Sequence, residues 1–466
     1  MNQDHHPWAV FAILALLASS TGVWAHDPDE KDASHAHAPR PVSAAAEHQP
    51  SALPDRVILT WAGDPRSTQA VTWRTDGTVE TGYIELAEDE DSPKFRDKAR
   101  RITARTEELG TELSHAHYHS VQFEGLKPDT KYVYRVGDGV NWSEWFQFRT
   151  TSDKPEPFKF IYFGDAQNDL KSMWSRVMRE AFSDAPRSRF IIHAGDLVNN
   201  ANNDAQWGEW HRAGGWVNGM IPSLPVPGNH EYEKDKTTGQ SSLTRHWRPQ
   251  FTLPTHGPEG LEECAYHVDV QGARIIGLNS NLKHEEQAVW LEKLLSNNPN
   301  TWTIITFHHP IYSSAKDRDN PRLRATWQPI FDKYKVDLVL QGHDHTYGRS
   351  GPRMSENVPV GVSLVEPDIG TVYVVSVSGP KMYNLTTQPW MKRSAEDTQL
   401  YQVISIDGSV LRYEARTAKG SLYDAFELRK RPGLANLMID KAPATPENRR
   451  PAATEKAAAV SSEVKR

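Results

Sequence analysis

An α/β layer domain preceded by an all-β sandwich is the architecture the sequence predicts, on three observations. After residue 157, short β-branched or aromatic runs alternate with longer segments whose apolar residues recur every three to four positions, which means strand–helix repeats. Between residues 55 and 151 the period is instead two, in short runs separated by turn signals, which means antiparallel strands. The 466-residue chain is 24% charged and 38% hydrophobic, enough apolar mass for two or three domains with real cores.

From the N-terminus, residues 1–25 read as an export signal: an apolar run over 8–18 leads to Val23-Trp24-Ala25, a small-residue cleavage pattern. No Lys or Arg precedes the run, and an uncleaved anchor is the alternative. Either way the remainder is expected outside the cytoplasm (secreted or periplasmic), with no stable membrane span once the signal is cleaved. Residues 26–54, polar and without apolar period, read as a disordered linker. In the β domain, 55–151, strands are expected over 57–61, 70–73 and 131–136. The stretch 126–134, Leu-Lys-Pro-Asp-Thr-Lys-Tyr-Val-Tyr, resembles the corner before a late strand in fibronectin type III domains. His115, His117 and His119 share one strand face and, with no carboxylate beside them, read as an exposed polar face rather than a metal patch. The α/β domain spans 157–425, with helices over 169–184, 285–296 and 321–335. Insertions at 200–220 and 233–255 are rich in Trp and charge and are expected to wall a pocket; Trp207, Trp210 and Trp216 either pack or stack on an organic leaving group. Residues 426–466 read as a C-terminal tail, largely disordered.

Lys plus Arg number 53 and Asp plus Glu 60, a net charge of −7, which argues against binding to a nucleic-acid scaffold. The single cysteine, Cys264, excludes an internal disulfide and cysteine-based zinc or iron–sulfur sites, and reads as a small buried residue. Any metal must sit on carboxylates, amides and the 20 histidines. Five apolar runs of the α/β domain end in such groups. They lead into Gly164-Asp165-Ala166-Gln167, Gly195-Asp196-Leu197-Val198-Asn199, Gly228-Asn229-His230-Glu231, His308-His309-Pro310 and Gly342-His343-Asp344-His345. Ligands of α/β sheets gather beyond the carboxyl ends of strands, so five strand ends can converge on one site. Each motif alone is a common turn; the ordered set is not.

This set resembles the calcineurin-like metallophosphoesterase superfamily, whose catalytic domain is an αββα sandwich. The sandwich that precedes it, and His343-Asp344-His345-Thr346-Tyr347-Gly348-Arg349, are similar to the purple acid phosphatase branch. Arg248-Pro249-Gln250-Phe251 before Pro254, and Tyr266 with Leu278-Asn279-Ser280, add to the likeness. The resemblance implies that Asp196 bridges two metal ions, that Asp165 and His345 bind the first and that Asn229, His308 and His343 bind the second. Iron, zinc and manganese all suit such nitrogen and oxygen donors. It also implies that His230 contacts the phosphate or protonates the leaving oxygen. His309 and Asp344, beside ligands but on the other side of an extended chain, are expected to be supporting residues. Arg349 is read equally as a phosphate contact or a packing residue.

The sequence departs from the family at two positions. Purple acid phosphatases carry a tyrosine three residues after the bridging aspartate, where Asn199 stands. The wider superfamily has a histidine two residues after the first aspartate, where Gln167 stands. Gln167 or Asn199 supplying a neutral oxygen, or a water, are the alternatives for the last place on the first metal. Without tyrosinate, trivalent iron is less compensated there and a divalent ion fits better. The function implied is an exported, acid phosphatase-like binuclear-metal phosphoesterase that hydrolyses small phosphate monoesters by metal-activated hydroxide. A phosphodiesterase or nucleotide hydrolase on the same site, and a catalytically silent surface-binding protein, are the alternatives. The physiological ester, the native metals, the pH optimum and the oligomeric state are not legible in the sequence.

Overall fold

The computed structural model describes residues 40–355 and 369–450. The expected export signal, most of the expected linker and residues 451–466 lie outside them. All elements below belong to one compact unit that begins at Ser43.

The β domain is two antiparallel four-stranded sheets. One has the spatial order Asp55–Thr60, Gln69–Asp76, His115–Phe123, Arg105–Gly110; the other has Arg100–Thr103, Tyr83–Glu88, Lys131–Gly137, Phe146–Arg149. Alternate residues of the two, among them Val71, Trp73, Ile84, Val121, Tyr134 and Phe148, meet as a core. The histidine stripe corrects the expectation of an exposed face. His115 is exposed, but His119 is buried, stacked 5.3 Å from Trp73 and bonded to Thr75 and Thr106. The other face of this strand, Ala116 and Tyr118, is also buried, so burial does not alternate there.

The α/β domain stacks two seven-stranded sheets. The first runs Ser223–Pro225, Ile191–His193, Phe158–Phe163, Leu400–Asp407, Val410–Thr417, Leu422–Arg429, Leu437–Asp440, and its first three strands are parallel. The second runs Tyr266–Val270, Ala273–Gly277, Trp302–Phe307, Leu338–Gln341, Thr371–Val375, Tyr347–Arg353, Met391–Ala395, with its second to fifth strands parallel. Period two sorts the side chains of the second sheet. Ile304, Leu338, Leu340 and Val372 enter the core between the sheets. Ile305, Val339 and Tyr373 turn the other way, toward Leu291, Trp327 and Phe331 of the helices His284–Ser296 and Pro321–Tyr334. The helices Ser175–Asp184 and Asp204–Gly214 contribute Val177, Met178, Trp207 and Trp210 to the first sheet's core. This is the expected αββα sandwich. No helix among the described residues is long and apolar enough to cross a membrane.

Two further expectations are corrected here, and one alternative is decided. Residues 426–450 are not a tail: Leu437–Asp440 extends the first sheet, and Thr445, Glu447 and Asn448 bond to Arg393, Ser394 and Tyr423. That segment is held by polar contacts, which leave no apolar period to read. Part of the linker is also built in: Ser43 caps the helix Ala44–Glu47, and the buried His48 gives its carbonyl to Arg74. Of the insertion tryptophans, Trp207 and Trp210 are fully buried core residues, while Trp216 is exposed and packs edge-on to Phe182.

Candidate metal centre

The five motifs follow parallel strands, and the two parallel blocks aim their carboxyl ends at one place. The backbone turns there are severe. Asp196, His343 and His345 take φ of 51°, 75° and 49°, a region that costs an L-residue energy and is held only by its surroundings. The preceding glycines serve mainly a different purpose from the sharp turn. Gly195 does turn left-handed, at φ 86°, but a Cβ on Gly228 would lie 2.2 Å from Asp196 Oδ1. That position is glycine because two loops nearly touch.

The side chains form two groups of donor atoms. In one, His308 Nε2 lies 3.1 Å from Asn229 Oδ1, 3.0 Å from His343 Nδ1 and 3.2 Å from Asp196 Oδ2. His308 Nδ1 is paired with the Ala194 carbonyl, which leaves Nε2 for the site. In the other, His345 Nε2 lies 3.1 Å from Asp165 Oδ2 and 3.0 Å from the Gln167 amide, which is itself 2.9 Å from Asp196 Oδ2. The Lys381 carbonyl pairs with His345 Nδ1. Asp165, Gln167, Asp196, His308 and His345 are buried, whereas Asn229, His230 and His343 are half-buried and line the open side.

These residues suit cations. Asp165 Oδ2 and Gln167 Oε1 are buried without a hydrogen-bond partner. Burial works against charge on His308, yet Asp196 and Asp165 lift it to about 9. Burial would raise the Asp165 carboxyl, but His345 and His308 outweigh it and hold it well below the usual range. The pocket thus draws in positive charge even from its own imidazoles. Nitrogen, carboxylate and amide donors in this mixture fit zinc, manganese or iron.

Of the other expected residues, His230 donates its main-chain N–H to Asp196 Oδ1, pairs Nδ1 with the Asn199 carbonyl at 2.6 Å and holds Nε2 3.9 Å from Asp196 Oδ2. Asn199 meets the site through that carbonyl. His309 bonds Ser280 and lies 4.3 Å from the His343 ring, and the three histidines 308, 309 and 343 are near enough together to share an ion. Asp344 is buried under hydrogen bonds from Ser313, Ser314 and Ala315, a supporting place as expected. Arg349 is a correction: its guanidinium is fully buried against Asp424, at 2.6 and 2.9 Å, and packs rather than reaching a phosphate.

Two residues were missed. Glu231 accepts from the amides of Gly228, Asp196, Leu197 and Val198 at 2.7–3.3 Å, so one carboxylate ties the Asp196 loop to the Asn229 loop. Burial and Asp196 push its carboxyl up to about 8 against the pull of those amides. Its place two residues after Asn229 was the available signal. Arg318 lies across the site, with Nη2 2.5 Å from His343 Nε2 and 3.2 Å from its carbonyl, over the ring of Tyr383. Nothing local in the sequence marks it.

Fold and site define a metal-dependent phosphoesterase, and the chain belongs to the calcineurin-like metallophosphoesterase superfamily: residues 158–347 match the family described as "Calcineurin-like phosphoesterase". Its place is the purple acid phosphatase branch, since residues 54–150 match "Purple acid Phosphatase, N-terminal domain". The chain is 26% identical over 328 residues to purple acid phosphatase 21 of Arabidopsis thaliana, across 67% of this chain and 70% of that one. It is 28% identical over 340 residues to acid phosphatase type 7 of Mus musculus, across 66% and 73%. Against Fe(3+)-Zn(2+) purple acid phosphatase 12 of Arabidopsis thaliana it is 28% identical over 301 residues, across 59% and 63%. In fold it is similar to a purple acid phosphatase from yellow lupin (Lupinus luteus) seeds, with a TM-score of 0.68 at 20% identity over 80% of this chain and 74% of that one. The fold of PhoD is also similar, with a TM-score of 0.62 at 13% identity over 89% and 97%. The protein is a hydrolase of phosphate esters whose cofactor is a metal centre; residue type leaves the ions' identity open.

Proposed function

We propose that the protein is an exported two-ion phosphomonoesterase. The observation that carries this reading is one shared atom: Asp196 Oδ2 stands 2.9 Å from the Gln167 amide in one donor group and 3.2 Å from His308 Nε2 in the other. Asp165 and His345 would hold the first ion, Asn229, His308 and His343 the second, and Asp196 both. Two cations held there supply Lewis-acid charge, which makes water a nucleophile near neutral pH and neutralises phosphate oxygens.

The chain's own groups do the rest. His230 pairs Nδ1 with the Asn199 carbonyl and turns Nε2 to the opening beside Asp196, where the imidazolium form, with a second proton on Nε2, can hand that proton to a leaving ester oxygen or bond a phosphate oxygen. Arg318, whose Nε lies 3.4 Å from Asp344, sets a guanidinium beside His343. A monoester dianion, with more charge than a diester, gains more from that framing. With Asn229 and Gln167 neutral, two carboxylates face two ions, and a pair of divalent ions suits the site better than the iron(III)–zinc pair named for the Arabidopsis relative. Export is supported by the apolar run 8–18 and the small-residue pattern after it.

The reading is tested with Asp196→Ala and a generic aryl phosphate, on protein reconstituted separately with zinc, manganese and iron. Turnover should fall by about 10³-fold or more while the circular dichroism spectrum is unchanged. Undiminished turnover would contradict it.

A further inference from the structure

We infer that Gln167 is a ligand of the first ion and that its amide turns over when the ion binds. This rests on the two-ion reading above. Gln167 is fully buried, and its position is set by the main chain: the N–H groups of Ala166 and Gln167 both donate to the Asp196 carbonyl, at 3.2 and 3.1 Å. One end of the side-chain amide faces two donor atoms of the site, Asp196 Oδ2 and His345 Nε2. Nδ1 of His345 is turned to the Lys381 carbonyl, so in the neutral ring Nε2 presents a lone pair to the site.

In the structure the NH₂ group faces these two acceptors, and Oε1 is left buried with no hydrogen-bond partner, as is Asp165 Oδ2. Without an ion the amide hydrogens hold Asp196 and His345 together. A half-turn of the amide exchanges oxygen and nitrogen without moving the backbone. Oxygen then joins the Asp196 and His345 lone pairs, with Asp165 Oδ2 at 3.1 Å from His345 Nε2. Acceptors gathered in this way are held together by a cation and repel one another without one. Asn199, the other residue that departs from the family, meets His230 through its main-chain carbonyl and Gln206 through its main-chain N–H. On this inference the place that tyrosinate or imidazole fills in relatives is filled here by the neutral amide oxygen of Gln167.

The test is a manganese(II) titration of chelator-stripped full-length protein, read by metal analysis after gel filtration and by electron paramagnetic resonance. Wild type should hold two ions per chain. Gln167→Leu fills the same space without a donor and should weaken the first ion by about 10–100-fold or more, leaving the second unchanged. Gln167→Glu keeps an oxygen but loses the N–H, and should hold two ions with the first as tight as wild type or tighter. If Gln167 were only a hydrogen-bond donor to Asp196, the Glu variant would bind as poorly as the Leu variant. Two ions on Gln167→Leu at wild-type affinity, or a Glu variant as weak as Leu, overturns the inference alone. Fewer than two on wild type overturns the two-ion reading and the inference with it. Should the Leu variant fail to fold, the Glu variant decides.

Discussion

At the scale of single residues, the donor set was legible because each ligand follows an apolar run and a constrained turn. Asp165, Asp196, Asn229, His308, His343 and His345 lie together in the structure, and that they hold ions is the proposal made above. What stayed hidden were groups whose role depends on another loop. Glu231 matters through four amides on two loops, and Arg318 through a histidine 25 positions away. Arg349 could not be decided for the same reason, since its partner Asp424 lies 75 residues on. With Asn199 where relatives have tyrosine, iron-loaded protein is expected to show no tyrosinate charge-transfer band in its visible spectrum. A band would contradict this and would point to Tyr383, whose ring lies 4.5 Å from that of His345.

At the scale of elements, the strands that end in ligands and the helices behind them follow the apolar periods closely. The apolar runs that lead into Gly164 and His308 are the strands Phe158–Phe163 and Trp302–Phe307, and the helix Pro321–Tyr334 matches the one predicted over 321–335. Elements held by polar contacts were not legible, as the Leu437–Asp440 strand and the helix at Ala44–Glu47 show. The joint between the two domains is of this kind. Asp204, at the start of the helix Asp204–Gly214, is fully buried and takes Arg56 at 2.6 and 3.0 Å and Arg74 at 3.4 Å, both from the β domain. Burial alone would raise its carboxyl, but His246 and Arg56 hold it well below the usual range. Removing that charge strands the buried Arg56 guanidinium, whereas Arg74 keeps Asp55 at 2.6 and 2.8 Å. Asp204→Asn should cost about 3–5 kcal/mol in urea unfolding; a change below about 1 kcal/mol would mean the joint is held otherwise.

At the scale of the molecule, stability and acidity are in tension. Burial pushes His193 and His211 down to about 3, and with the help of His117 pushes His119 down to about 4. Between pH 6.5 and these values the unfolded chain binds protons that the folded chain refuses, so folding weakens as the pH falls through that window. The loss is about 1.4 kcal/mol per pH unit for each histidine. Urea unfolding at pH 7.5 and 5.0 should show it. His193→Phe should make the slope shallower, because neither His193 nitrogen has a hydrogen-bond partner and its ring already stacks on Phe163. A slope that is flat, or unchanged in the variant, would show that these groups do not set the acid limit.

The central claim, that Asp196 is shared by two ions, is tested most directly by anomalous diffraction from crystals loaded with zinc or manganese. Two peaks are expected astride the Asp196 carboxylate, one against Asp165 and His345 and one against Asn229, His308 and His343. A single peak, or a pair remote from Asp196, would contradict the account.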